Sequence, residues 1–168
     1  MQKIENDIPH LQRLVKGIKF AMLVTRDKSG ALHSRPMTLQ ETDFDGDFWF
    51  FASRSHGPAL DIGADPVVNL AFSNPSGNSF VSATGRAELS DDRAKMKELW
   101  NPLYKAWFKD GLEDPDLTLI RVHVESADFW DSPSSKVVQL LAFTKAVITG
   151  KDTKSTMGDR GHLDLKAV

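Results

Sequence analysis

The chain has 168 residues, of which 40% are hydrophobic and 26% charged, and its formal net charge is -2. A chain of this length is most simply one domain with a core of its own, and its composition is ordinary for a globular protein. The near-neutral charge excludes a bulk attraction to nucleic acid or to an anionic membrane. Cysteine is absent, which excludes disulfides, thiolate metal sites and a cysteine nucleophile.

The N-terminal stretch carries Glu5, Asp7 and Pro9 where a secretory signal peptide would need an apolar core. No apolar run approaches the roughly 20 residues that a membrane helix needs. The lack of cysteine fits a reducing compartment. We therefore expect a cytoplasmic protein that does not enter a membrane.

The first third of the chain predicts one helix and three strands. Asp7 is a suitable N-cap for a short helix that ends at Gly17. Strands are then predicted over 20–25, 32–40 and 48–51, with short glycine-containing turns between them. We expect these three strands to pair in order as an antiparallel meander.

The middle of the chain predicts a short helix over 56–64, with Leu60 among the side chains that could pack inward. Residues 67–72 form a nearly continuous apolar run, which predicts a strand buried on both faces. A strand over 80–89 follows, and Gly85 within it indicates a β-bulge or a close approach of two backbones.

The rest of the chain predicts a helix after Asp92, a helical segment after Asn101, a strand over 117–130, a helix over 136–149 and a weak strand over 162–165. The segment after Asn101 would bury Leu103 and Trp107. Six or so strands, with helices inserted between groups of strands, predict the α+β class. A closed or split antiparallel barrel would hide that many sheet edges.

Few residues have the spacing of a known catalytic or metal site. The five histidines include no pair at a metal-ligand spacing, so no metal is expected. No glycine-rich fingerprint joins a strand to a helix, which argues against a Rossmann or P-loop site. No acid, base or nucleophile stands out, and we assign no catalytic residue.

Arg35 lies within an otherwise apolar strand, and its charge must therefore reach solvent or an anion. An edge-strand arginine that reaches water is the plain alternative. Further on, Ser53 and His56 occupy a strand-to-helix corner that offers hydroxyls and free backbone N–H groups. If the meander brings Arg35 beside Ser53, the two would form an anion site flanked by Phe50 and Phe51. Trp130, at a strand end, could be a core residue or a platform for a ligand.

The runs FAMLVT, SRPM, WFFAS, VVNLAF, ATGRAEL and ADFWDSP occur in this order along nearly the whole chain. In this order and spacing they resemble the pyridoxamine 5'-phosphate oxidase-like superfamily and, within it, the general stress protein 26-like group. The resemblance implies a six-stranded antiparallel split β-barrel with flanking helices, over residues 1–150, on which a C-terminal extension, 151–168, packs. It also implies a homodimer with FMN in two grooves at the interface.

The resemblance further implies a set of cofactor-binding residues. The phosphate-binding arginine of the family falls on Arg35, and the flavin ring system would lie along the backbone of Pro36 and Met37. The other matching positions are Phe51, Ala52 and Ser53 over the flavin and its ribityl chain, Trp130 from the second subunit, and Lys136, which falls on an arginine that binds the substrate phosphate in true oxidases.

The chain departs from the family pattern where the phosphate should bind. Ala52 replaces the usual threonine, residues 57–58 are Gly-Pro where basic residues are usual, and Gln40 replaces a lysine. Each lost charge-assisted hydrogen bond costs about 1.5–3 kcal/mol, so FMN binding should be weaker, although His56 or Arg54 could compensate.

The family's Arg-x-His pair for pyridoxal phosphate reads Lys-Val-Val at 136–138, so we expect no pyridoxamine phosphate oxidase activity. The leading hypothesis is an FMN-dependent oxidoreductase of unknown substrate. A non-catalytic flavin-binding stress protein that acts as a buffer or sensor is the second hypothesis. The same barrel could also bind FAD, deazaflavin F420 or haem, and a nucleic-acid-binding role is the least favoured.

Overall fold

The structure, a computed structural model, describes residues 7–131 and 159–165. In these ranges it has three α-helices, two 3-10 helices and seven strands, which are α1 (Asp7–Val15), β1 (Phe20–Arg26), β2 (Leu32–Thr38), β3 (Asp47–Ser53), α2 (Pro58–Ala64), β4 (Val67–Asn74), β5 (Ser79–Ser90), α3 (Arg93–Leu99), the 3-10 helices Pro102–Ala106 and Gly111–Glu113, β6 (Leu117–Asp131) and β7 (Asp159–Asp164). The predicted α+β class is confirmed. The helix predicted over 136–149 lies outside the described residues.

All seven strands belong to one antiparallel sheet with the order β2-β1-β4-β5-β6-β3, and β7 is attached to β6. The two end strands, β2 and β3, lie near each other without pairing, so the sheet curls round on itself. The described residues thus contain one strand more than the six-stranded barrel that the resemblance implies, and this strand, β7, overlaps the weak strand predicted over 162–165. The extra strand forms because β6 has 15 residues, and β3 pairs only with its first half, which leaves an edge for β7 to cover.

The predicted three-strand meander is wrong in its second half. β1 and β2 do form a hairpin, but β3 pairs with β6, from Asp47 opposite His123 to Ser53 opposite Leu117. The connection before β3 is not a tight turn, because Phe44 within it is buried and stacks on Phe48 with 4.5 Å between ring centroids. Burial of Phe44 therefore makes this connection part of the main core.

Two apolar clusters hold the fold together. The larger one fills the curled sheet with the inward side chains of the strands and the apolar face of α1, where Leu11 is fully buried. The smaller one lies on the other side of β3 and β6, where α3 contributes Met96 and Leu99 and β6 contributes Leu117 and Leu119. The first half of β6 is therefore buried on both faces.

The expected burial of β4 on both faces is wrong for the described chain. Val68, Leu70 and Phe72 point into the core, whereas Val67 and Ala71 on the other face are exposed. The strand is apolar on both faces, but the helices pack elsewhere, and no described residue covers its outer face.

Gly85 confirms the predicted bulge and the close backbone approach. The register of β5 and β6 shifts between Thr84 and Gly85, and a Cβ atom at Gly85 would lie 2.1 Å from the backbone oxygen of His123. Thr84 is opposite Ser126 while Gly85 is opposite Val124, so Glu125 is the extra residue on β6.

The predicted caps after β5 are confirmed, but one predicted apolar face is wrong. The Asp92 side chain accepts hydrogen bonds from two backbone N–H groups of α3, and the Asn101 side chain accepts one from Leu103. Leu103 and Trp107 are, however, exposed. The segment is a five-residue 3-10 helix, whose tighter winding does not keep the predicted α-helical face.

Candidate functional site

Arg35, on β2, forms an ion pair with a carboxylate of its own chain. Its Nη1 donates hydrogen bonds to Oδ2 of Asp61 on α2, at 2.9 Å, and to Oγ1 of Thr25, at 2.8 Å. The Thr25 hydroxyl in turn donates to Oδ2 of Asp61, at 2.7 Å. The side chains of Arg35 and Asp61 are 30% and 11% exposed. The expectation that Arg35 needs an anion is thus met inside the protein; we call these three residues the arginine cluster.

Local sequence explains how the arginine cluster is assembled. Pro58 is the first residue of α2, where its missing N–H costs no helical hydrogen bond. The helix buries Ala59, Asp61 and Ile62, while Leu60 is exposed, contrary to the expectation that it could pack inward. Sequence reasoning missed Asp61. The available signal was a carboxylate within the apolar face of a short helix, in a chain whose nearby strand carries an unexplained arginine.

Part of the Arg35 guanidinium remains available to a ligand. Among residues 7–131 and 159–165, no group forms a hydrogen bond with its Nε or Nη2. Nε is 3.8 Å from the point where a Cβ atom of residue 57 would lie, and residue 57 is a glycine with φ of +53°. The free edge of Arg35 therefore faces the connection between β3 and α2.

That connection, Ser53–His56, which we call the serine corner, already binds an oxyanion. Both the Ser53 and Ser55 hydroxyls donate to Oδ2 of Asp116, the latter at 2.8 Å, and the Ser55 backbone N–H donates to Oδ1 at 2.9 Å. These hydrogen bonds, first those from Ser53 and Ser55, lower the pKa of Asp116. His56 Nδ1 is 2.7 Å from Ser55 Oγ, and its ring is largely exposed.

The serine corner therefore has the donor set that an oxyanion requires, since a carboxylate of the same chain occupies it. Sequence reasoning predicted these donors but missed Asp116, which belongs to a run of acidic residues that is typical of loops and caps. The structure brings Arg35 and the serine corner next to each other through Gly57.

The aromatic residues predicted beside this site pack elsewhere. The Phe51 ring lies against Trp100 and Tyr104, with centroids 5.4 Å and 5.2 Å away. Phe50 is fully buried in the main core, and Ala52 points into the same core. Any contact of these three residues with a ligand at the serine corner would therefore come mainly from backbone atoms.

The remaining predicted site residues lie on other parts of the sheet. Pro36 is exposed opposite Met22, and Met37 packs against the main core. Trp130 is 41% exposed on the outer face of β6, opposite Phe80. No described contact joins Trp130 to the arginine cluster within one chain. Lys136 lies outside the described residues.

Within residues 7–131 and 159–165, no group of three or more histidine, aspartate or glutamate side chains is placed to hold a metal ion. No helix in the described part of the chain is long and apolar enough to cross a membrane.

The sequence profile described as "Pyridoxamine 5'-phosphate oxidase like" matches residues 6–154. The chain belongs to the pyridoxamine 5'-phosphate oxidase-like family. A curated relative, protein bli-3 of Neurospora crassa, is 33% identical over 158 residues, which cover 88% of this chain and 76% of the relative.

Solved structures of this family share the fold. A chain from Jannaschia sp. CCS1, solved as a general stress protein 26, superposes with a TM-score of 0.75 at 24% identity, over 95% of this chain and 99% of that one. The general stress FMN/FAD binding protein of Xanthomonas citri is 33% identical, with a TM-score of 0.65 over 76% of this chain and 90% of that one. The antiparallel sheet with its helices is thus the family fold.

Proposed function

We propose that this protein is a general stress protein 26-like flavoprotein that binds FMN, with the phosphate at Arg35 and the serine corner. The observation that carries the proposal is the pairing of a fixed, partly exposed guanidinium with a neighbouring corner that binds a carboxylate. The description of the Xanthomonas citri relative as an FMN/FAD binding protein supports the same ligand class. Pro36, Met37 and the backbone of Phe51 to Ser53 would line the rest of the flavin, and His56 the phosphate.

We further propose a homodimeric split barrel with the flavin groove at the dimer interface. The six strands of the barrel would be β2-β1-β4-β5-β6-β3, with β7 attached outside them. The outer face of the sheet carries large apolar side chains that a partner could cover, which are Phe20, Met22, Val67, Phe80 and Trp130. Exposed apolar patches of this kind mark association surfaces. Trp130 would reach the flavin of the partner subunit, and Lys136 would face the substrate.

When bound, the flavin would supply hydride or electron transfer, which is why the leading form of the proposal is an oxidoreductase of unknown substrate. The protein would bind and orient the flavin, with Arg35 holding its anionic end. A non-catalytic flavin carrier or sensor is the second candidate.

The test of flavin binding is a titration of the purified protein with FMN, followed by flavin fluorescence. We expect saturable binding at micromolar concentration or below. Arg35→Ala should weaken it about 10- to 100-fold, since one charge-assisted contact is worth about 1.5–3 kcal/mol. Arg13→Ala removes an exposed arginine of α1 and should leave binding unchanged.

Arg35→Lys serves as a second variant, because it keeps a charge opposite Asp61 and loses the planar fork. Circular dichroism of each variant checks the fold. Absence of FMN binding by the folded wild-type protein would contradict the proposal, and titrations with FAD, F420 and haem would then identify the ligand class. Oxidation of reduced nicotinamide by the holoprotein would separate the oxidoreductase from the non-catalytic carrier.

A further inference from the structure

The serine corner is held by a carboxylate that a bound phosphate would have to displace or tolerate. Asp116 uses three donors of the corner, namely the two serine hydroxyls and the Ser55 backbone N–H. The backbone of the corner is hydrogen-bonded to the same residue, since the Arg54 N–H donates to the Asp116 carbonyl oxygen at 2.8 Å. The corner therefore already has a negatively charged occupant.

Phosphate and carboxylate compete for the same kind of donor. Two negative charges within hydrogen-bonding distance of one set of donors repel each other, and they also divide the donors between them. A flavin without a phosphate, such as riboflavin, has no group that would meet Asp116 in this way. The carboxylate therefore acts on one part of the ligand, its phosphate, and leaves the ring system unaffected.

We infer that Asp116 is a specificity-determining residue, which competes with the flavin phosphate for the serine corner and so reduces the preference for FMN over riboflavin. The inference deepens the proposed flavin site and rests on it.

Asp61, the other carboxylate at this site, has a different role. It contacts Arg35 through Nη1 and Thr25 through its hydroxyl, and its side chain is nearly buried. It therefore fixes the guanidinium and leaves Nε free. Asp116 is 37% exposed and lies just before β6, where its side chain can turn toward solvent when another anion arrives.

The experiment compares FMN and riboflavin binding by the wild-type protein, by Asp116→Asn and by Asp110→Asn. Asparagine at 116 keeps the shape and can still accept a hydrogen bond, but it removes the charge. The ratio of the riboflavin Kd to the FMN Kd should rise about tenfold in Asp116→Asn, through tighter FMN binding with riboflavin unchanged. Asp110, an exposed carboxylate in the same region that caps nothing with its side chain, is the matched control and should leave the ratio unchanged.

An unchanged or lower ratio in Asp116→Asn would overturn the inference, and so would an equal change for both flavins, which indicates a merely structural role. Absence of binding of either flavin to all three proteins would instead contradict the proposed function. A titration with inorganic phosphate, followed by the NMR signal of the Ser55 backbone amide, tests the corner itself. We expect phosphate to bind Asp116→Asn about tenfold more tightly than wild type, and equal affinities would overturn the inference whatever the flavins do.

Discussion

Asp61 in the arginine cluster and Asp116 at the serine corner are both carboxylates that accept hydrogen bonds from their own chain, but their surroundings differ. Asp61 faces a cation and a hydroxyl, and its side chain is nearly buried. Asp116 accepts from two hydroxyls and one backbone N–H at a more exposed position, and the nearest ring nitrogen, Nδ1 of the exposed His56, is 3.9 Å from its Oδ2. A charge without its partner is costly in a buried site and cheap in an exposed one, because water replaces the partner only in the latter.

This difference separates a structural carboxylate from a replaceable one. The Asp61 pair ties α2 to β1 and β2, so its loss should act on the stability of the whole fold. The Asp116 contacts tie one loop to one corner, so their loss should act mainly on what binds there. Substitutions at Asp61, Thr25 and Asp116 should therefore differ in their effects on the stability of the fold.

The largest effect is expected from Asp61→Ala. It leaves the Arg35 charge without its carboxylate in a mostly buried position, and removal of one partner of a buried pair costs about 3 kcal/mol or more. The free energy of unfolding, measured with urea, should fall by that amount. Leu60→Ala, on the exposed side of the same helix, is the control; a similar loss in both variants would show that the helix, and not the ion pair, is responsible.

A smaller effect is expected from Thr25→Val, which keeps the shape of the side chain and removes its hydroxyl. The hydroxyl accepts from Arg35 and donates to Asp61, so both lose one hydrogen bond but keep each other. We expect a loss of about 1–2 kcal/mol in the free energy of unfolding. Thr25→Ser retains the hydroxyl and should lose less; if serine were the more destabilising, the hydrogen bonds would not be the cause.

The smallest effect is expected from Asp116→Asn, as a loss of stability that is present near neutral pH and disappears in acid. The pKa of Asp116 is lowered from 3.8 in the folded protein, so its contribution to stability is present above that value and is lost as the pH falls below it. The urea midpoint of the wild-type protein should therefore fall more steeply in this acid range than that of the variant. Asp27, whose pKa is also lowered, titrates in both proteins and cancels in the difference. Parallel curves for the two proteins would contradict the role assigned to Asp116.

The sequence predicted the individual helices and strands better than it predicted which strands pair in the sheet. The hairpin of β1 and β2, the caps at Asp92 and Asn101, and the bulge at Gly85 depend on a few adjacent residues, and all are confirmed. The pairing of β3 with β6 joins positions more than 60 residues apart, and local turn chemistry does not determine it. The sequence therefore indicated a hairpin where the core required a distant partner.

The same limit applies to the candidate site. Arg35 could be singled out because a charge in an apolar strand is unusual, and Ser53 because hydroxyls collect at strand-to-helix corners. Their partners Asp61 and Asp116 are ordinary residues of a helix and of an acidic loop. The apolar helix face around Asp61 is the one local signal, and only the folded chain brings the two carboxylates to the arginine and the serines.

The extra residue at the bulge also determines which side of the molecule the end of β6 presents. Even-numbered side chains from Ile120 to Val124 point into the core, whereas beyond Glu125 the odd-numbered Ala127 and Phe129 do so. A single-residue deletion at this position would restore a uniform alternation and keep Ala127 and Phe129 inward, whereas a regular strand without the bulge that retained all its residues would turn Trp130 inward and Phe129 outward. When a relative lacks the extra residue, an alignment without a gap at Glu125 would therefore compare inward residues with outward ones throughout the rest of this strand.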